Sequence, residues 1–215
     1  WGDYDNDLDL DLFVSNAGEQ NNFLYQNNGN GTFTKITSSI VTMDGGNSHG
    51  SAWGDYDNDG DIDLLVSNDA NGNNFLYANN GDGTFVAIGN VITQDAGKSF
   101  GAAWADVDND LDLDLYISNH DDEDNFLYLN ERGKCAAKAC FTFIGTNTNA
   151  SAFGSRVKVL ATIDGVQRWQ MRELASLTGG GIGGQNELKT LIGLADAAQI
   201  DSMIISGYLI NLQKE

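Results

Sequence analysis

The stretch WGDYDNDGDIDLLVSN, residues 53–68, is one of three similar copies in this chain of 215 residues. The other copies are WGDYDNDLDLDLFVSN at 1–16 and WADVDNDLDLDLYISN at 104–119. Each copy is followed at the same distance by a second shared segment. These segments are NNFLYQNNGNGTF (21–33), NNFLYANNGDGTF (73–85) and DNFLYLNERG (124–133). A period of about 50 residues indicates an architecture built from repeated units.

Each repeat carries the signals of short β-strands. In the second repeat we expect strands at 48–53, 62–68, 74–78 and 84–88. Between the last two lies NGDG (80–83), a hairpin signal because Asn and Gly tolerate positive φ. Four short antiparallel strands per repeat describe one blade of a β-propeller and fit a solenoid poorly.

We therefore predict an all-β fold of four-stranded β-propeller blades plus a small C-terminal β domain. The predicted boundaries are about three blades at 1–145 and the second domain at 146–215. A closed propeller needs about four to eight blades. Three copies are therefore expected to be a fragment of a larger propeller, or to be completed by partner chains.

The alternating aspartates of each repeat predict a metal-binding loop. In 55–63, oxygen ligands at the first, third and fifth positions, Gly60 at the sixth and a carbonyl at the seventh match the start of an EF-hand calcium loop. The closing carboxylate comes at the ninth position. A divalent cation would neutralise carboxylates that otherwise repel one another. Ca²⁺ is favoured over Mg²⁺, which keeps its waters and needs a stricter octahedron.

Up to three Ca²⁺ ions are expected, one in each repeat. The candidate metal ligands are Asp3, Asp5, Asp7, Asp9, Asp11, Asp55, Asp57, Asp59, Asp61, Asp63, Asp106, Asp108, Asp110, Asp112 and Asp114. The alternative is an edge strand with its acids facing outward. That alternative explains the alternation of leucine and aspartate at 8–12 but not the acids that precede it.

The sixth loop position differs between the repeats: it is Gly60 in the second, Leu8 in the first and Leu111 in the third. Gly60 allows a sharp turn, whereas a leucine in a left-handed conformation costs about 1–2 kcal/mol. We therefore expect the two leucine loops to be strained, differently curled or weaker for calcium. The second site should bind calcium most tightly.

The charges are distributed unevenly along the chain. Residues 1–130 hold 24 acidic residues and two lysines, whereas residues 131–215 hold 7 acidic and 9 basic residues. The acidic part repels phosphate backbones and anionic membranes, so nucleic acid is not an expected partner. No apolar run approaches the roughly 20 residues that span a bilayer, so no membrane insertion is expected.

Three local features favour an exported protein. Cys135 and Cys140 lie close enough in KCAAKAC to form a disulfide, which we favour over two unlinked thiols. Asn30-Gly-Thr32 and Asn149-Ala-Ser151 are acceptor sequences for N-glycosylation.

The repeats resemble the FG-GAP/VCBS-type repeats of integrin alpha subunits and many secreted bacterial proteins. The motifs that carry this resemblance are D-x-D-x-D-G-x-x-D at 55–63, NFLY, NGDGTF and SFG at 99–101. It implies calcium bound between strands of a propeller. In the second repeat, Asp55, Asp57, Asp59 and Asp63 would ligate through side chains and Asp61 through its carbonyl, with the matching aspartates in the other repeats.

The C-terminal part resembles the ASPIC/UnbV domain, which follows such repeats in cartilage acidic protein and its bacterial relatives. The residues that carry the resemblance are GSRVKV (154–159), QMRELAS (170–176), GGQN (183–186) and IGLADAAQIDSMII (192–205). Read without the resemblance, this part is still β-rich, because Asp164-Gly165 joins two predicted strands, 156–163 and 166–174.

The sequence predicts no enzyme. The two histidines, His49 and His120, have no convincing nucleophile context, and there is no G-x-S-x-G elbow. We expect a calcium-stabilised extracellular or cell-surface scaffold or adhesion module. Its partner would be a protein or glycan surface ligand, or copies of itself.

Two alternatives remain open. One is a carbohydrate-binding propeller in which aromatic rings stack on sugars, although core packing between blades is favoured for these rings. The rings concerned are Trp53, Trp104, Tyr56 and Tyr25. The other alternative is a non-catalytic part of a secreted hydrolase.

Overall fold

The computed structural model describes residues 1–131, 137–145, 152–174, 189–207 and 210–212. Within these ranges all strand pairs are antiparallel and no α-helix occurs. Two single-turn 3₁₀ helices lie at Ile40–Thr42 and Val91–Thr93. The predicted all-β fold is confirmed.

Each repeat forms one small antiparallel sheet, like a propeller blade. The second repeat has the sheet order β4-β5-β6-β7, and its strands match the four predicted ones to within one residue at each end. The first repeat has the order β1-β2-β3 and the third β10-β9-β8. The strands are β1 Leu12–Val14, β2 Phe23–Asn27, β3 Phe33–Ile36, β4 Ser48–Gly54, β5 Asp63–Asn68, β6 Phe75–Asn79, β7 Phe85–Ala87, β8 Ser99–Ala105, β9 Asp114–Asn119 and β10 Phe126–Tyr128.

The second sheet is packed on both faces. Successive side chains of a strand point to opposite faces. Leu64 and Val66 of β5 accordingly join an apolar cluster with the first repeat, and Leu65 between them joins a cluster with the third. Burial on both faces explains why this strand is a continuous apolar run instead of an alternating one.

The repeated tryptophan packs against a glycine of the preceding repeat. A Cβ atom at Gly2 would lie 2.9 Å from Cγ of Trp53, and one at Gly54 would lie 2.8 Å from Cγ of Trp104. Trp53, Trp104 and Tyr56 are buried. Their positions therefore match the alternative in which these rings form the core between blades.

The C-terminal part forms two further sheets, with the orders β14-β11-β16 and β13-β12-β15. The turn Asp164-Gly165 between β12 and β13 has positive φ at both residues, as a tight hairpin turn requires. The strands are β11 Ala137–Gly145, β12 Arg156–Ile163, β13 Val166–Glu173, β14 Lys189–Ala195, β15 Ile200–Ser206 and β16 Ile210–Leu212.

Three predictions about this region stay predictions: the domain boundary, the disulfide and the glycosylation of Asn149. The predicted domain boundary lies between residues 145 and 146. The strand β11 precedes this boundary and pairs with β14 and β16, which follow it. Cys140 lies in β11, while Cys135 and the glycosylation candidate Asn149 lie outside the described residues.

Candidate metal centres

Each repeat brings three of its five aspartates together in the loop before the strand LFV, LLV or LYI. In each loop these are the residues at the first, third and ninth positions, and one carboxylate oxygen from each lies within 4.8 Å of the others. The three clusters are Asp3, Asp5 and Asp11; Asp55, Asp57 and Asp63; and Asp106, Asp108 and Asp114. Each cluster could hold a metal ion.

The aspartate at the ninth position fixes each loop to its own sheet. In the second repeat, Asp63 accepts the N–H of Tyr56 at 3.0 Å with Oδ2 and the N–H of Asn79 at 2.9 Å with Oδ1. The other two repeats make the same pair of bonds, at Asp11 and Asp114. These buried carboxylates hold the loop in place and are themselves members of the clusters.

The aspartates at the first and third positions leave oxygens without protein partners. Among the residues that the structure describes, Oδ1 of Asp3, Asp5 and Asp55 is buried and has no hydrogen-bond partner. Asp3 and Asp55 are only 1% and 3% exposed. A buried carboxylate oxygen without a partner is unfavourable, so these atoms fit a cation ligated from within the cluster.

The aspartates at the fifth position are turned back onto their own loop. Asp7, Asp59 and Asp110 each accept the N–H of the residue two positions later, at 2.9, 2.9 and 3.0 Å. They lie outside the three-aspartate clusters. Their role as side-chain ligands stays a prediction.

The aspartates at the seventh position also lie outside the clusters, and two of them bind the preceding repeat. Nδ2 of Asn6 donates to Oδ1 of Asp61 at 2.6 Å, and Nδ2 of Asn58 donates to Oδ1 of Asp112 at 2.8 Å. The remaining member of this set, Asp9, is half-buried. The carboxylates of Asp61 and Asp112 thus accept hydrogen bonds from the preceding repeat. Metal ligation by the backbone carbonyl at this position stays a prediction.

Two asparagines each link their repeat to the metal loop of the repeat before it, a role that was not predicted from the sequence. Asn79 donates to the carbonyl of Tyr4 at 2.7 Å, and Asn130 donates to the carbonyl of Tyr56 at 2.6 Å. Each reaches from one repeat into the metal loop of the repeat before it. The signal was present in the sequence, because an Asn follows NFLY at the same distance in all three repeats.

The three loops share one backbone path at the sixth position. Leu8, Gly60 and Leu111 have φ of 75°, 100° and 68°, all in the left-handed region. Both leucines thus have the left-handed φ that is expected to strain them, and they share it with the glycine of the second loop. The ranking of calcium affinities stays a prediction.

Burial makes these carboxylates reluctant to ionise. Desolvation raises the pKa of Asp3 and Asp11 to about 7; neighbouring aspartates add to the rise, and Arg172 opposes it at Asp3. Desolvation also raises the pKa of Asp55 to about 6, where Arg172 and the N–H of Gly193 oppose the rise. A divalent cation in the cluster would favour the ionised forms.

Basic side chains of the C-terminal part reach the metal loops. Arg172 lies 3.5 Å from Asp55, and Arg168 lies 3.3 Å from Asp61. Lys138 pairs with Asp112. Lys189 donates to Oδ1 of Asn109 at 3.1 Å. The basic side chains of the C-terminal part thus form ion pairs with the acidic repeats.

Both histidines meet at a separate place, at the ends of the strands opposite the metal loops. Nε2 of His120 lies 2.8 Å from Oδ1 of Asp69, and Nε2 of His49 lies 3.7 Å from Oδ2. The His49 ring stacks on Phe100 with 4.4 Å between ring centroids. The two histidines, Asp69 and Phe100 thus form a contact between two repeats.

Comparison with protein families gives two matches. A family model described as an FG-GAP-like repeat matches residues 3–66 and 55–117, and one described as ASPIC and UnbV matches residues 145–206. Both resemblances are confirmed. Such domains are generally non-catalytic, and together they indicate an adhesion-like or hydrolase-associated module.

FG-GAP repeats are typical of extracellular proteins. No curated protein matches the chain. Among the described residues, no helix has the length and apolar character needed to cross a membrane.

Proposed function

Because the chain belongs to the FG-GAP-like repeat family, we propose that it is a calcium-stabilised scaffold or adhesion module that acts outside the cell. The observation that carries this proposal is the set of buried Oδ1 atoms of Asp3, Asp5 and Asp55. Within the described residues they have no hydrogen-bond partner. Each belongs to an aspartate that shares its cluster with two further aspartates.

The chemistry of the donors favours calcium. The described clusters contain carboxylates alone, with no histidine or cysteine. Hard oxygen donors suit Ca²⁺ and Mg²⁺ and are poor for soft metals. Ca²⁺ takes six to eight oxygens in flexible geometry, which suits a curled loop that offers carboxylates and carbonyls close together.

The ions would act by holding the repeats together. Each cluster draws the start of a loop toward Asp11, Asp63 or Asp114 at the beginning of the next strand. The first two loops also accept hydrogen bonds from Asn79 and Asn130 of the following repeat. Ordering one loop therefore orders the contact with the next blade. Extracellular calcium sites have Kd near 10⁻⁴–10⁻³ M, so they are roughly half to nine-tenths filled at the millimolar calcium outside cells.

The direct test is calorimetric titration of chelator-stripped protein with Ca²⁺, in parallel with thermal melting. We expect up to three sites and a Tm that rises with calcium. Protein that shows neither binding heat nor a calcium-dependent Tm would overturn the proposal, because the carboxylates would then be solvated acids.

The proposed partner is a protein or glycan surface ligand, or further copies of this chain. Light scattering after size-exclusion chromatography, with and without calcium, measures self-association. Binding to immobilised glycans tests the second partner class. A monomer that binds no glycan would direct the search to protein ligands.

A further inference from the structure

The edge of a C-terminal strand is completed by the second metal loop. β14 is the outer strand of the described sheet β14-β11-β16. The N–H groups of Gly193 and Ala195, two residues apart on one edge, donate to Oδ2 of Asp55 at 2.9 Å and to the carbonyl of Asn58 at 3.1 Å. Donors of an edge strand that would otherwise need water are thus satisfied by the loop.

Two glycines make this contact close. A Cβ atom at Gly193 would lie 2.4 Å from Oδ2 of Asp55 and 2.5 Å from Cα of Asn58. On the loop side, a Cβ atom at Gly60 would lie 2.6 Å from Nε2 of Gln170. Gln170 is buried and donates to the carbonyl of Gly193 at 3.0 Å. The two surfaces therefore fit only because neither glycine has a side chain.

The two oxygens of Asp55 have different partners. Oδ2 faces the C-terminal part, where it accepts the N–H of Gly193 and lies 3.5 Å from Arg172. The same guanidinium donates to the carbonyl of Gly60 at 3.2 Å. Oδ1 is buried and has no hydrogen-bond partner among the described residues, so it is left for the metal cluster.

We infer that metal binding at the second loop and docking of the C-terminal part on that loop are coupled, with Gly193 and Arg172 as positioning residues for Asp55. The inference rests on the proposed metal-binding function. A carboxylate held by one oxygen is pre-oriented for a metal at the other, and the coupling acts equally in both directions. In the first loop, Oδ2 of Asp3 accepts the N–H of Leu8 at 3.2 Å, and among the described residues the C-terminal part donates no hydrogen bond to Asp3, on which Arg172 acts only through its charge.

Amide hydrogen exchange of the full chain tests the coupling at the two edge donors. Calcium should slow the exchange of the Gly193 and Ala195 amides by about tenfold, within the usual range of coupling between sites. Asp57→Asn, which weakens the second cluster, should abolish this effect of calcium. Asp5→Asn, the matched change in the first cluster, should leave it intact.

Protection that survives Asp57→Asn, or that is lost equally in both variants, would overturn the inference. A wild-type chain that binds no calcium at all gives a different result, the failure of the proposed function itself. The two failures are therefore distinguishable.

Gly193→Ala tests the reverse direction of the coupling. The variant keeps the backbone N–H, but its Cβ would lie 2.4 Å from Oδ2 of Asp55 and would force β14 away from the loop. Loss of the close hydrogen bond should weaken calcium binding at the second site by about tenfold and leave the first site unchanged. Arg156→Gln is the matched control, because Arg156 pairs with Glu173 inside the C-terminal part at 2.5 Å. If Gly193→Ala binds calcium like the wild type, the inference is wrong. If that variant does not fold, the exchange experiment still decides.

Discussion

The first and second metal loops follow one sequence pattern in two different surroundings. In both, the ninth aspartate accepts two backbone N–H groups, and the sixth residue has a left-handed backbone. Only the second of these two loops is covered by the C-terminal part at Asp55 and Gly60. Since Leu8 makes the same turn as Gly60, the turn alone does not require glycine there. Gly60 is required by the neighbour that packs on it.

The largest effect is expected where the two loops are alike. Asp63→Ala removes the acceptor of two buried N–H groups, each of which costs about 1–3 kcal/mol when unsatisfied. We expect a loss of about 4 kcal/mol in the free energy of unfolding, measured by urea denaturation in saturating calcium. Asp11→Ala should cost a similar amount.

Asp63→Asn is the control for this experiment. It keeps one acceptor oxygen and should lose roughly half as much. A loss below about 1 kcal/mol in Asp63→Ala would contradict the anchoring role of the ninth aspartate.

Gly60→Ala separates the two loops. The new Cβ would meet Nε2 of Gln170 at 2.6 Å and Cδ1 of Ile163 at 3.1 Å, at a φ of 100°. Left-handed strain and overpacking together should cost about 3 kcal/mol, measured by the same denaturation. Leu8→Ala, at the same position of the first loop, should change stability by less than about 1 kcal/mol. Equal losses in the two variants would show that the C-terminal part does not press on the second loop.

Calcium binding should weaken at both the first and the second loop as the pH falls. Burial raises the pKa of Asp3 and Asp11 to about 7 and that of Asp55 to about 6, and it raises the pKa of Asp63 well above its usual value. Calcium must displace these protons below those values. Lowering the pH from 7 to 6 should therefore weaken calcium binding at both sites by about tenfold or more, as calorimetric titration at the two pH values can measure.

Without calcium the effect of pH on stability has the opposite sign. The folded pKa values lie above the unfolded value of 3.8, so protonated carboxyls stabilise the fold fully below about pH 4. This contribution is lost as the pH rises through 6 to 7. The Tm of the metal-free protein should fall between pH 4 and pH 8, as differential scanning calorimetry in chelator can measure. A Tm that rises over this range would contradict the raised pKa values.

Local patterns predicted much of the fold and part of the site. The four strands of the second repeat and the turn at Asp164-Gly165 follow from alternation and turn residues, which act over a few positions. The clustering of the first, third and ninth aspartates follows from loop spacing. The packing of the C-terminal part on Asp55 could not be predicted in this way. Gly193 lies more than a hundred residues away in the chain, and its contact with Asp55 depends on how two sheets pack.

The smallest effect concerns the third loop, which shares the leucine of the first. Leu111 has a φ of 68° and is 37% exposed, so Leu111→Gly relieves left-handed strain while removing a side chain that keeps more than a third of its surface in solvent. After the greater chain entropy of glycine is subtracted, we expect a gain of about 0.5–1 kcal/mol by urea denaturation. Calcium affinity at the third site should rise with it. Leu129→Gly is the matched control, because Leu129 is 55% exposed and is not among the described residues with positive φ. That variant should lose stability; a loss in Leu111→Gly as well would mean that the leucine packs favourably enough to outweigh the strain of its backbone.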